Sequence, residues 1–104
     1  MPTDQKTILL VEDDELLATT EAYWLKRAGY FPLIAHSGEK AIDTVQNNRD
    51  LIHLILMDID LGAGIDGTIA AQEILKENDI PLLFLSSHTE KEIVEKTEKI
   101  TSYG

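Results

Sequence analysis

Glu12-Asp13-Asp14 follows the apolar run Ile8–Val11, and Asp58, with Asp60 two residues on, follows a later run, Leu54–Met57. A last run, Leu82–Leu85, leads into the hydroxyls of Ser86 and Ser87. In an open parallel sheet ligands gather beyond the carboxyl ends of the strands, so these positions are the ones able to act together. If the strands ending at Val11 and Met57 are neighbours, at least three carboxylates converge, and their mutual repulsion requires an opposing charge. Carboxylate and carbonyl oxygens without His or Cys suit a hard divalent ion. Few protein ligands and open water positions suit magnesium better than calcium. Magnesium beside a carboxylate suggests phosphoryl chemistry, because the ion neutralises charge on the transferring group while Asp58 attacks it to give an acyl phosphate. The Ser86 hydroxyl could hold one phosphoryl oxygen.

Each of these features has a plainer reading when taken singly. Glu12-Asp13-Asp14-Glu15 alone is a solvated loop or the negative first turn of a helix. Asp58 alone is a strand-ending turn residue or a cap, and Ser86-Ser87 the start of a turn. Two acidic strand ends in one sheet are harder to explain as decoration. Asp14 and Glu15 are assigned to the first helical turn. Gly62, Gly64 and Gly67 are not followed by the Lys of a phosphate-binding loop, so a nucleotide site is not expected. His36, His53 and His88 lack metal-ligand spacing, and Trp24 reads as a core or partly buried helix residue.

The elements that must position these residues are four short apolar runs, Ile8–Val11, Phe31–Ala35, Leu54–Met57 and Leu82–Leu85, alternating with four helical segments. That alternation is the sequence form of repeated βαβ units, and the unbroken apolar runs fit strands covered on both faces. Leu17, Trp24, Leu25 and Ala28 fall at helical spacings, and Gly29 suits a left-handed C-terminal cap. Ser37 can cap a second helix through Ala41, Ile42 and Val45, fraying at Asn47-Asn48. Asp66 can cap a third with Ile69, Ala70, Ile74 and Leu75 facing inward, and Pro81 then starts the last strand. Thr89 and Glu92 have capping-box spacing for a fourth, well solvated helix over Glu90–Lys99 anchored by Ile93 and Val94.

With 104 residues, 43% hydrophobic and 27% charged, the chain reads as one globular domain over 1–104 with no linker or internal repeat. Nineteen acidic against nine basic side chains give a formal charge of −10, which disfavours direct contact with nucleic acid or anionic lipid. The absence of cysteine excludes disulfides, thiolate metal sites and thiol nucleophiles. No apolar stretch approaches the ~20 residues of a membrane helix, and the polar start Met1–Lys6 does not resemble a signal peptide, so a cytoplasmic location is expected.

Leu9-Leu10-Val11-Glu12-Asp13-Asp14, Leu56-Met57-Asp58-Ile59-Asp60-Leu61 and Pro81-Leu82-Leu83-Phe84-Leu85-Ser86-Ser87 together resemble the receiver domains of response regulators and hybrid histidine kinases. The likeness runs in order along nearly the whole chain, and three motifs in sequence are far more specific than any one. It implies a flavodoxin-like three-layer α/β sandwich whose parallel sheet has the order 2-1-3-4 here. It also implies a magnesium ion held directly by Asp13 and Asp58, through water by Glu12, and by the Asp60 backbone carbonyl. By the same resemblance Asp58 is the phosphoacceptor, Ser86 the switch hydroxyl, and Gly62–Gly67 the loop after the acceptor. The phosphodonor is then a phosphohistidine on a histidine kinase or phosphotransfer domain, and the chain is an acceptor module more than a turnover enzyme.

Receivers continue into a fifth strand with an aromatic switch residue and a Lys, then a fifth helix, and the chain is expected to stop short of these. The fourth strand would then be an open sheet edge, which favours a homodimer or swapped assembly. Two rival functions are weighed. Asp58-Ile59-Asp60 after an apolar strand resembles the nucleophile motif of haloacid-dehalogenase phosphohydrolases, although it lies on the third strand, Gly62 replaces the favoured Thr or Val, and no later acidic pair or catalytic Lys follows. A signalling-inert interaction module that keeps the fold without switching is the other.

Overall fold

The computed structural model describes residues 5–59, 61 and 65–85. Its frame is a parallel sheet of β1 (Thr7–Val11), β2 (Phe31–Ala35), β3 (Ile52–Asp58) and β4 (Leu82–Leu85), in the order β2-β1-β3-β4. Val11 stands beside Met57, and Asp58 beside Leu85, so the carboxyl ends of the two central strands lie at one edge of the sheet. Beyond Val11 the Glu12 amide continues the ladder by donating to the Ala35 carbonyl at 3.0 Å. The sheet order and the three layers are those expected of a flavodoxin-like receiver.

Among the described residues three helices cover the sheet, α1 (Glu15–Arg27), α2 (Gly38–Asn48) and α3 (Gly67–Glu77). α2 and α3 seal one face, where Ala41, Val45, Ala70 and Ile74 meet Leu9, Val11, Ile55 and Met57. α1 covers the other through Ala18 and Ala22 on Leu10. β1 and most of β3 are buried on both faces, whereas in β2 Phe31 and Ile34 are exposed, because an outer strand is only partly roofed by helices.

The local signals act as the residue types dictate. Gly29 takes a φ of 97°, a left-handed conformation that strains any side chain, and ends α1. Ser37 Oγ accepts from the Lys40 amide at 3.0 Å and Asp66 Oδ1 from the Ile69 amide at 3.0 Å, each satisfying an orphan donor at a helix start. Asp14 is not in the first turn but caps it, its Oδ1 accepting from the Leu16 and Leu17 amides at 2.9 and 3.0 Å. α2 continues through Asn48 without fraying at Asn47, and Asn48 donates from its side chain to the Thr44 carbonyl.

The expected inward faces need two corrections. Trp24 is 62% exposed and Leu17 47% exposed, so neither is core. The small side chains of Ala18 and Ala22 let the α1 backbone approach the sheet, and this turns the bulky residues outward. In α3, Ile69 is likewise exposed and Ala71 takes a buried place beside Ala70 and Ile74. β3 is longer than its apolar run, since it gains Ile52, His53 and Asp58. The exposed His53 interrupts the run yet belongs to the strand, and its Nδ1 accepts from the Thr7 amide at 3.0 Å. The expected fourth helix over Glu90–Lys99 lies outside the described residues.

Candidate phosphoacceptor and metal site

Asp58 ends β3, and its backbone is fixed on both sides. The next amide, Ile59, donates to the Leu85 carbonyl at 3.1 Å, and the Ile59 carbonyl accepts from Gly67 at 2.9 Å. Gly67 begins α3 so close to the strand that a Cβ there would lie well inside van der Waals contact of the Asp58 carbonyl oxygen, and only glycine fits. Glu12 leaves β1 beside this point. Its carbonyl accepts from His36 Nδ1 at 2.9 Å, and its Oε2 accepts from the Asp14 amide at 3.2 Å. Asp13, between Glu12 and the cap residue Asp14, is exposed.

Strand ends far apart in sequence thus meet. One carboxylate oxygen from each of Glu12, Asp13 and Asp58 lies within 4.8 Å of the others. Glu12 is 6% exposed and Asp58 9%, a costly setting for two adjacent negative charges. The result is visible in Glu12, whose carboxyl is pushed up to about 8 by burial, by a hydrogen bond to the Asp58 carboxylate and by the charges of Asp58 and Glu21, against the opposing hydrogen bond from the Asp14 amide. Burial and the Asp58 charge also raise Glu21 above the ordinary carboxylate range. A group of oxygen donors this close, two of them buried, fits a small hard cation such as magnesium, whose charge would offset their mutual repulsion.

Of the residues singled out in the sequence, Glu12, Asp13 and Asp58 are brought together. Asp60 and Ser86 lie outside the described residues, as do Ser87, His88, Gly62 and Gly64. His36 and His53 make structural hydrogen bonds to backbone, in keeping with their scattered spacing. Two residues matter beyond what the sequence reading gave them. Gly67, expected in the loop after Asp58, is instead the first residue of α3 and sets the approach of that helix to β3, and only its place directly after a helix cap hinted at this. Glu21 shares the inward face of α1 with Ala18 and Ala22, and a helical wheel drawn on those alanines would have found it.

The sequence matches the response regulator receiver domain family over residues 8–103. The chain belongs to that family. The receiver is 36% identical over 97 residues to the uncharacterized transcriptional regulatory protein YrkP of Bacillus subtilis, covering 93% of this chain and 39% of YrkP. Among solved structures it is similar to the N-terminal domain of a response regulator/sensory box/GGDEF three-domain protein from Carboxydothermus hydrogenoformans. That match has a TM-score of 0.83 and 43% identity, over 95% of this chain and 78% of the other. A signal receiver domain of a modulated diguanylate cyclase from Desulfovibrio desulfuricans G20 matches with a TM-score of 0.81 and 28% identity, over 93% of this chain and 76% of that one. The receiver therefore spans about two fifths of the length of its curated relative. Family membership sets aside the haloacid-dehalogenase reading and places the chain in two-component signalling, where receiver domains work with histidine kinases or phosphotransfer proteins. Among the described residues no helix is long and apolar enough to cross a membrane.

Proposed function

We propose that Asp58 is the phosphoacceptor of this receiver and that Glu12, Asp13 and Asp58 hold a magnesium ion during the transfer. The observation that carries this reading is the meeting of three carboxylates from two neighbouring strand ends within 4.8 Å. When bound, magnesium would neutralise negative charge collecting on the phosphoryl oxygens. The chain's own residues supply position. β3 presents the Asp58 carboxylate at the sheet edge, and Glu12, anchored through Ala35 and His36, fixes the neighbouring oxygen. In the reaction an Asp58 oxygen attacks phosphorus of a phosphohistidine, the P–N bond breaks, and the imidazole leaves with a proton as the acyl phosphate forms. The family resemblance adds the Asp60 carbonyl as a metal ligand and Ser86 as a hydroxyl for one phosphoryl oxygen.

The donor is a histidine kinase or histidine phosphotransfer domain, and the setting is the cytoplasm. The formal charge of −10 makes direct binding of this domain to nucleic acid unfavourable. A small phosphoramidate, which carries the same P–N bond, provides the test. With magnesium it should give one hydroxylamine-labile phosphoryl adduct per chain, seen by intact-mass measurement and absent from Asp58→Asn. An adduct that survives Asp58→Asn sinks the assignment, and magnesium binding undisturbed by Asp13→Asn sinks the metal site.

A further inference from the structure

The inward face of α1 carries a side chain whose chemistry does not suit its surroundings. Glu21 stands between Ala18 and Ala22, which are buried against Leu10, and one turn ahead of Leu25. Its Oε1 is buried and meets no hydrogen-bond partner among the described residues. Leaving a buried oxygen unpaired is destabilising, so an apolar side chain would serve the packing better. Leu85, which packs against the face that carries Ala18 and Ala22, stands beside Asp58 in the sheet, so this face of α1 lies against the strand end that carries the acids. Among the described residues the charged groups that bear on Glu21 are both acidic, Asp58 at the end of β3 and Glu12 beyond β1. It stands outside the trio that could ligate the ion. What reaches the site is its charge.

We propose that Glu21 is a positioning residue of the phosphoacceptor site that acts through its charge, strengthening divalent-cation binding at Glu12, Asp13 and Asp58 while opposing the phosphoryl group on Asp58. This inference rests on the reading of Asp58 given above. A negative charge near the trio attracts a dication. The same charge repels a phosphoryl group, which brings about −1.5 to −2 of its own. Because the carboxylate is partly shielded by α1 and the sheet, salt screens both effects less than it would on an open surface. The cost in packing is therefore exchanged for a setting of the balance between metal affinity and phosphoryl affinity.

The two effects have opposite signs, and a role confined to packing gives no such pair. Magnesium is titrated calorimetrically into the wild-type chain, Glu21→Gln, Glu21→Leu and Glu21→Asp at mildly alkaline pH. Beryllofluoride, a phosphoryl mimic, is then titrated at saturating magnesium, and urea unfolding is measured on each variant. Glu21→Gln and Glu21→Leu are expected to weaken magnesium by roughly 3- to 10-fold and to tighten beryllofluoride. Glu21→Asp should stay near wild type in both, and Glu21→Leu should be the most stable of the set. Unchanged magnesium affinity in Glu21→Gln and Glu21→Leu overturns the proposal, as do changes of the same sign for both ligands. Should Glu21→Gln fold poorly, Glu21→Leu carries the test, since its side chain suits the site. Beryllofluoride binding that persists in Asp58→Asn defeats the acceptor reading instead, and the magnesium titration still decides whether the Glu21 charge acts on the trio.

Discussion

On one face of the sheet, α2 and α3 cover Leu9, Val11, Ile55 and Met57 with Ala41, Val45, Ala70 and Ile74, and every one of these side chains is buried. On the other, among the described residues, α1 covers Leu10 with Ala18 and Ala22, Leu56 and Leu85 stay partly buried, and the same helix carries the buried carboxylate oxygen of Glu21. Among the described residues the first face holds most of the apolar burial, and each large aliphatic side chain removed from water contributes roughly 1.5–3 kcal/mol to folding. The second tolerates a polar group that the first could not. The strand-end acids feel both faces, β1 and β3 being fixed by the first, thick face while the charge proposed to act on them, that of Glu21, comes from the second, thin one.

The largest effect should come from cutting into the thick face. Ile74→Ala is expected to lower stability by about 2–5 kcal/mol in urea unfolding, against a smaller loss for Leu56→Ala on the α1 side. Equal losses would break the contrast between the faces. Next in size is the pH response of the strand-end acids. Glu12 binds its proton more tightly in the folded chain than in the unfolded one, so the stability this contributes is whole below pH 4.5 and is lost as pH rises through about 8. Urea unfolding in a chelator should therefore show stability falling across that range by of order 1 kcal/mol or more. Glu12→Gln should flatten the slope, and saturating magnesium should offset the loss by favouring the ionised form.

A smaller effect is expected at the helix starts. Asp66→Ala removes the acceptor for the Ile69 amide and should cost about 1 kcal/mol, with Ser37→Ala similar at α2. The smallest should be Trp24→Ala. Its ring lies on the outside of α1, where it meets Tyr23 edge-on with centroids 5.6 Å apart, and its loss should change stability by no more than about 0.5 kcal/mol. A larger loss in the urea midpoint would mean that the thin face extends around the helix.

The sequence carried the sheet and the trio well, because both rest on strong local signals. Apolar runs of strand length alternated with helical segments, and the acids stood directly after the runs. Caps were legible at Gly29, Ser37 and Asp66, where one residue type meets one geometric need. The inward face of α1 was not. Leu17 and Trp24 dominate any hydrophobic reading of that helix, yet close approach to the sheet favours small residues, and the alanines are nearly silent in such a reading. Glu21 was hidden for the same reason. The role of Gly67 was beyond local pattern, since the clash that forbids a side chain there is with the backbone of Asp58, nine residues away.

If Asp58 takes a phosphoryl group as proposed, the clamp around it bears on who can deliver that group. Because Ile59 is tied to Leu85 on one side and to Gly67 on the other, the backbone that carries the proposed acceptor is already fixed when the chain folds. A donor then need only bring phosphorus into line with a carboxylate whose backbone is already in place. Reaction with compounds much smaller than a protein is then expected, and a cognate partner would add selection among donors.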